Sequence, residues 1–219
     1  HTANRRQRQM CIRDSRKTLL KSNSIIFDRV SRTFELELES GGTFTWEITH
    51  PLLLLQEMIA GSAELQDLYA SAAGRSPCGP DNPWRMAIGL DEFTTGDKKK
   101  PKNRRKTMVV SINFLELGTS ALCHEMTWMT VALCRNHLMR DVVGGWPRCF
   151  AIILRLLLLD DLSFLNAGCP LELRGRTFML FANVAVILTD LDGIKLTFDW
   201  GGASSHRPCL LCSNCLLYT

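Results

Sequence analysis

The sequence predicts a mixed α/β fold in which strands and helices follow one another along the chain. Apolar and polar residues alternate on both sides of Gly41-Gly42, and apolar residues recur at helical spacing between Leu52 and Ala73. A short apolar run from Trp84 to Leu90 predicts a buried strand. Hydrophobic residues make up 46% of the chain and charged residues 22%, which is typical of a globular protein.

Residues 16–82 are predicted to form a hairpin-and-helix module. Because Gly41-Gly42 favours a tight turn, the two alternating segments around it predict a β-hairpin. Pro51 ends the second strand, and residues 52–73 are predicted to be helical. Residues 74–83 contain three prolines and two glycines, which indicates a linker.

Residues 83–214 are predicted to form a second unit. The strand at 84–90 delivers Asp91 and Glu92 to its carboxyl end. A polar loop over 94–106 leads to a β-rich stretch at 107–115, and the two strands are predicted to pair antiparallel across that loop.

The rest of the second unit is predicted to be mainly helical. Residues 125–141 and 146–160 have helical spacing, with Gly144-Gly145 between them. Cys123, His124 and Cys134 are interpreted as packing residues on the first of these helices. The apolar stretch 176–189 is predicted to be a strand at 177–181 that leads into a helix, although periodicity separates the two states poorly there.

The two ends of the chain are expected not to be native. Residues 5–15 read Arg-Arg-Gln-Arg-Gln-Met-Cys-Ile-Arg-Asp-Ser, and residues 215–219 read Cys-Leu-Leu-Tyr-Thr. The first string matches the translation of a common sequencing-library adapter, and the second matches that of its reverse complement. We therefore expect residues 1–15 and 215–219 to be adapter-derived and the native protein to be truncated at both ends.

The adapter-like ends change what composition indicates. Residues 1–15 carry four arginines and one aspartate, a net charge of +3 out of the chain's +4, so charge alone does not indicate nucleic-acid binding. Seven of the nine cysteines lie outside the ends, and this odd number fits reduced thiols in a nuclear or cytoplasmic protein. The most apolar run, residues 150–159, is too short to span a bilayer.

Acidic residues at two places are candidate metal ligands. Asp91 follows the strand at 84–90, and Asp190 begins a group that also contains Asp192 and Asp199. Carboxylates bind Mg²⁺ or Mn²⁺, and a pair of such ions can activate water and stabilise a phosphoryl group. The alternatives are an ordinary acidic turn at Asp91 and, at the second group, turn residues or a charge on a helix face.

Cys209 and Cys212 form a Cys-x-x-Cys motif near the carboxyl end. Two thiolates at this spacing can bind one tetrahedral Zn²⁺, and His206 is a possible third ligand. Because a complete site needs four ligands, the motif is at most half of a zinc site. A redox pair or two unliganded thiols are the alternatives.

A basic run follows the first acidic pair. Such a run can bind phosphates of DNA without reading bases, whereas the alternative is a solvated hairpin loop. Its residues are Lys98, Lys99, Lys100, Lys102, Arg104, Arg105 and Lys106.

Short motifs occur in order through the second unit. They are Pro83-Trp84-Arg85, Leu90-Asp91-Glu92-Phe93-Thr94, Asn103-Arg104-Arg105-Lys106, Phe114-Leu115-Glu116-Leu117-Gly118, Gly144-Gly145, Gly201-Gly202-Ala203 and Pro208-Cys209-Leu210-Leu211-Cys212-Ser213-Asn214. Together they resemble a large uncharacterised protein family of marine protists, notably dinoflagellates. That family is distantly similar to the Plavaka and Kyakuja-Dileera-Zisupton transposases.

The resemblance implies an RNase H-like mixed sheet with flanking helices and metal-dependent cleavage and strand transfer of DNA. It implies that Asp91 and Asp190 are the first two catalytic acids, and that Cys209 and Cys212 belong to a zinc-bearing insertion. The third acid is expected beyond Asn214, so the chain alone is expected to be inactive. The alternatives are a non-catalytic zinc-knuckle module that binds nucleic acid or protein, and a decayed mobile-element copy. Oligomeric state is left open.

Overall fold

The computed structural model describes residues 28–94 and 106–202. It confirms a mixed α/β architecture with a four-stranded mixed sheet and flanking helices. The described strands are β1 Ser31–Glu37, β2 Thr43–Thr49, β3 Trp84–Thr94, β4 Lys106–Phe114, β5 Met129–Arg135, β6 Cys169–Leu173, β7 Arg176–Leu180 and β8 Ala182–Leu188. The described α-helices of four or more residues are α1 Pro51–Gly61, α2 Ala63–Arg75, α3 Thr119–Leu122, α4 Asn136–Met139, α5 Gly145–Leu158 and α6 Leu191–Phe198.

The predicted hairpin is confirmed as β1 and β2. Phe34 lies opposite Trp46 in the antiparallel register, and the turn places Gly41 at φ +91° and Gly42 at φ +87°. A side chain would be strained at such angles, so the glycines suit this turn. Trp46 and Leu36 are buried, which fixes the face of the hairpin that packs on the rest of the molecule.

The helix predicted over 52–73 is two helices rather than one. Pro51 starts α1, where its missing N–H costs no hydrogen bond. Ser62 separates the helices and caps α2, because its Oγ accepts a hydrogen bond from the Leu65 N–H at 3.2 Å.

The central sheet has the strand order β5-β4-β3-β8. β3 pairs antiparallel with β4, as predicted, and β4 pairs antiparallel with β5. β8 lies on the other side of β3 and is parallel to it. β3 extends to Thr94, so Asp91 and Glu92 belong to the last part of the strand instead of following it.

The helix predicted over 125–141 is wrong. A single 3₁₀ turn spans Glu125–Thr127, β5 follows, and only Asn136–Met139 is α-helical. Buried Met129 and Val131 alternate with exposed Thr130, and pairing with β4 satisfies the backbone. The apolar positions fit both the helical spacing and the two-residue spacing of a strand. Pairing with β4 therefore decided that this segment is a strand.

The helix predicted after residue 181 is also wrong. Residues 182–188 form the parallel strand β8, and the next helix, α6, begins only at Leu191. Branched side chains at Val184, Val186 and Ile187 favour a strand. A continuous apolar run is typical of parallel strands, which explains why period-two alternation did not reveal it.

One cluster of buried hydrophobic side chains includes residues from the hairpin, from helices α1, α2 and α5 and from the central sheet. α5 contributes Trp146, Cys149, Phe150 and Ile153, which share one helix face. No helix in residues 28–94 and 106–202 is long and apolar enough to cross a membrane.

Candidate functional site

The carboxyl ends of β3 and β8 bring the two predicted catalytic acids to one place. Gly89 pairs with Leu188 in the parallel register, and Asp91 and Asp190 each follow that pair by two residues. Both acids line the same cavity of about 460 Å³. The structure therefore brings Asp91 and Asp190 together although they lie far apart in sequence.

Asp190 is the N-cap residue of α6. Its backbone is extended, and its Oδ1 accepts a hydrogen bond from the Gly193 N–H at 2.6 Å. This bond satisfies one of the free N–H groups of the first turn, and the carboxylate faces the positive end of the helix dipole. The capping role accounts for Asp190 structurally, and within the described residues it engages only one of the two carboxylate oxygens.

Gly193 allows the start of α6 to approach the end of β8 closely. A Cβ at this position would lie 2.0 Å from Thr189 Oγ1 and 3.0 Å from Asp190 Oδ1. The Thr189 hydroxyl is buried beside the cavity and has no hydrogen-bond partner in the described part of the chain. The glycine thus positions Asp190 and Thr189 at the cavity wall.

Asp91 lies on an exposed position of β3, opposite Val109 on β4. The preceding residue, Leu90, is buried and anchors the strand in the core. Because neighbouring residues on a strand point to opposite faces, burial of Leu90 turns the Asp91 side chain outward. Asp91 is therefore exposed at the end of the strand, where it is one of the residues that line the cavity.

Glu92 has a different environment from Asp91. Its Oε1 accepts a hydrogen bond from Lys106 Nζ at 2.5 Å, and its Oε2 accepts one from Asn136 Nδ2 at 2.5 Å. Both oxygens are engaged, so Glu92 ties β3 to β4 and to α4 rather than serving as an open ligand. Lys106, the last residue of the predicted basic run, is ion-paired here and not simply solvated.

The cavity fits a divalent ion only in part. Asp91 and Asp190 supply oxygen ligands of the kind that Mg²⁺ and Mn²⁺ prefer. Within residues 28–94 and 106–202, no group of three or more His, Cys, Asp or Glu side chains is arranged to hold a metal. Mg²⁺ commonly binds through one or two carboxylates together with water and substrate phosphate, so two acids suffice for such a site.

Of the other predicted site residues, two aspartates line cavities and most of the rest lie outside the described residues. Asp192 lines the same cavity as Asp91 and Asp190, and its side chain is 93% exposed. Asp199 lines a neighbouring cavity instead. The remaining residues fall outside the described ranges, and these are Lys98, Lys99, Lys100, Lys102, Arg104, Arg105, Cys209 and Cys212.

The interpretation of three residues as helical packing residues needs correction. Cys123 and His124 are exposed next to a 3₁₀ turn, and only Cys134 is buried, on β5. Burial raises the pKa of the Cys134 thiol to about 12 and that of Cys149 to about 11, which keeps both protonated at neutral pH. Cys78, Cys123, Cys134, Cys149 and Cys169 are free thiols.

A second cavity of about 700 Å³ adjoins the first. Asn136, Arg140, Asp192 and Leu196 line both cavities. Sequence reasoning missed Asn136 and Arg140 because it placed them on a long helix. No motif marks them, so their position depends on the turn between β5 and α5.

The chain matches no protein-family model, no curated protein and no solved structure.

Proposed function

We propose that this chain contributes two catalytic acids, Asp91 and Asp190, to an RNase H-like, transposase-type protein that cleaves and joins DNA with Mg²⁺ or Mn²⁺. The observation that carries the proposal is that both acids follow the same pair of neighbouring residues on parallel strands and line one cavity. The sequence resemblance assigns the catalytic role to the same two residues.

The sheet topology supports the proposal. Three antiparallel strands, β3, β4 and β5, are joined by β8, which is parallel to β3 and lies next to it. The sequence resemblance implies an RNase H-like mixed sheet, and a four-stranded mixed sheet is compatible with that implication. Ligand sites in open sheets commonly lie beyond the carboxyl ends of parallel strands.

In this proposal, different residues at the cavity bind the metal ions, bind the phosphate and position a side chain. Asp91 and Asp190 hold negative charge where divalent ions bind, and those ions supply Lewis-acid stabilisation of a phosphate and an activated water. Lys106 lines the same cavity and would attract the phosphate. Glu92 keeps Lys106 in place through its hydrogen bond.

A non-catalytic nucleic-acid-binding module is the second candidate. The capping bond of Asp190 favours the non-catalytic part of this candidate, because that bond explains the residue without any metal. The two candidates differ in one property: only the catalytic one requires a divalent ion at Asp91 and Asp190.

Metal binding tests the proposal directly. Mn²⁺ binding is measured by electron paramagnetic resonance for the wild-type chain and for Asp91→Asn, Asp190→Asn and the double variant. Asparagine retains the shape of aspartate and is a good N-cap residue, so these variants remove charge without removing the cap. We expect the double variant to bind Mn²⁺ at least about tenfold more weakly, because two charged oxygen ligands are lost.

Asp81→Asn is the matched control, because Asp81 is exposed in a loop and lines neither cavity. Equal Mn²⁺ affinity in all variants would contradict the proposal and favour the non-catalytic module. Cleavage of supercoiled DNA by the product of the complete reading frame, with and without the two substitutions, then tests the activity itself.

A further inference from the structure

The carboxylate cavity and the neighbouring cavity lie side by side and share part of their walls. Their volumes are about 460 and 700 Å³, and four residues line both. Together the two cavities extend from Asp91 and Asp190, past Arg140, to the start of α5 at Gly145 and Trp146. A linear ligand bound beside the acids can extend along this surface toward the second cavity.

Arg140 is the cation at the junction of the two cavities. Its side chain is exposed, and within residues 28–94 and 106–202 no ion pair or side-chain hydrogen bond engages it. Lys106, by contrast, is paired with Glu92 at 2.5 Å. A guanidinium presents two parallel N–H donors to a phosphate, so Arg140 can bind a phosphate without breaking an existing contact.

The second cavity has the size and the mixed apolar and polar lining of a pocket that binds one unit of a linear ligand. Met139, Val142 and Trp146 supply apolar walls, and Lys195 and Asp199 supply polar groups. Its volume falls within the roughly 300–1,000 Å³ that small-ligand pockets span. One nucleotide of an unpaired strand is a ligand of this size class, whereas a base in a duplex must first lose its pairing and stacking to occupy a pocket.

We infer that Arg140 binds a backbone phosphate of a single-stranded DNA segment that lies across the Asp91–Asp190 cavity and places the adjacent nucleotide in the second cavity. The inference rests on the proposed function for the chemical class of the ligand. It adds the strandedness of the substrate and a binding residue that no sequence motif marks.

Binding of single-stranded DNA tests the inference. Fluorescence anisotropy with a short labelled oligonucleotide is measured in EDTA, so that no divalent ion contributes, between about 50 and 200 mM salt. We expect Arg140→Ala to weaken binding roughly tenfold and to reduce the salt slope by about one, because one phosphate contact is lost. Arg140→Lys keeps the charge and should recover part of the affinity.

Arg135→Ala is the matched control. Arg135 is also exposed and lies five positions before Arg140, at the end of β5, but lines neither cavity. We expect its loss to change affinity less than about twofold, because no phosphate contact is lost. The same oligonucleotide annealed to its complement should bind the wild type more weakly, and Arg140→Ala should affect it less.

The outcomes separate this inference from the proposed function. Equal effects of Arg140→Ala and Arg135→Ala, or no binding of single-stranded DNA, would overturn the inference while leaving Mn²⁺ binding at the two acids unaffected. A specific effect of Arg140→Ala in a protein that binds no Mn²⁺ would support the inference and contradict the catalytic proposal. Tighter binding of the duplex than of the single strand would also overturn it.

Discussion

At its amino end strand β3 is held among aromatic rings, whereas at its carboxyl end it carries acidic side chains beside a cavity. Trp84 is 1% exposed and lies 6.1 Å from the Tyr69 ring and 5.6 Å from the Phe178 ring, measured between centroids. Seven residues later on the same strand, Asp91 is exposed. The two ends therefore have opposite relations to solvent.

This difference shows how one strand can both anchor the fold at one end and present acidic side chains to solvent at the other. Aromatic pairs contribute packing energy beyond the apolar area that they bury. That energy holds the strand in place, so the other end can present carboxylates that bury little apolar surface. Phe114 belongs to the same aromatic group, 6.1 Å from Trp84 and 5.5 Å from Phe164.

The largest effect is expected at the aromatic end. Trp84→Ala should lower the free energy of unfolding by about 3–5 kcal/mol, because it leaves a cavity among the rings. It also removes the hydrogen bond from Trp84 Nε1 to the Ser76 carbonyl, 2.8 Å long. Urea denaturation followed by circular dichroism measures the change.

Phe93→Ala is the control on the same strand, because Phe93 is 40% exposed near the carboxyl end. Its loss should cost about 1–2 kcal/mol, less than at Trp84, since a large part of the side chain is already in solvent. Similar losses at Trp84 and Phe93 would show that the two ends of β3 do not differ as described.

A smaller effect is expected where α6 approaches the end of β8. Gly193→Ala should destabilise the protein by about 1–3 kcal/mol, because the new methyl group overlaps Thr189 Oγ1 and forces a shift at the cavity wall. Gly74→Ala is the control, since nothing lies within 4 Å of a Cβ there and α2 should gain about 0.5 kcal/mol in helix propensity. Thermal unfolding of both variants checks the sign of each change; a stabilising Gly193→Ala would contradict the close approach.

The smallest effect separates the capping role of Asp190 from its charge. Asp190→Ala should cost about 1 kcal/mol because the Gly193 N–H loses its acceptor, whereas Asp190→Asn should cost a few tenths. Chemical denaturation of the metal-free variants measures both. Equal costs for alanine and asparagine would mean that the cap contributes little to stability.

Much of the fold could be predicted from local patterns. The hairpin around Gly41-Gly42, helix α5 and the antiparallel pair β3 and β4 each depend on residues that are close in sequence. The approach of Asp91 to Asp190 was inferred from a resemblance, since no local pattern joins β3 to β8. β5 and β8 were predicted to be helical because their apolar residues fit either period.

What the sequence by itself determined is therefore the set of helices and of strand pairs that follow one another along the chain, together with an acid near the end of β3. Only the tertiary structure decided that β8 lies beside β3, in a register joining Gly89 to Leu188 across about 100 residues. It also placed Arg140 between two cavities. The physical reason is that a parallel strand obtains its hydrogen bonds from a distant partner, so its state depends on long-range packing that no local pattern encodes.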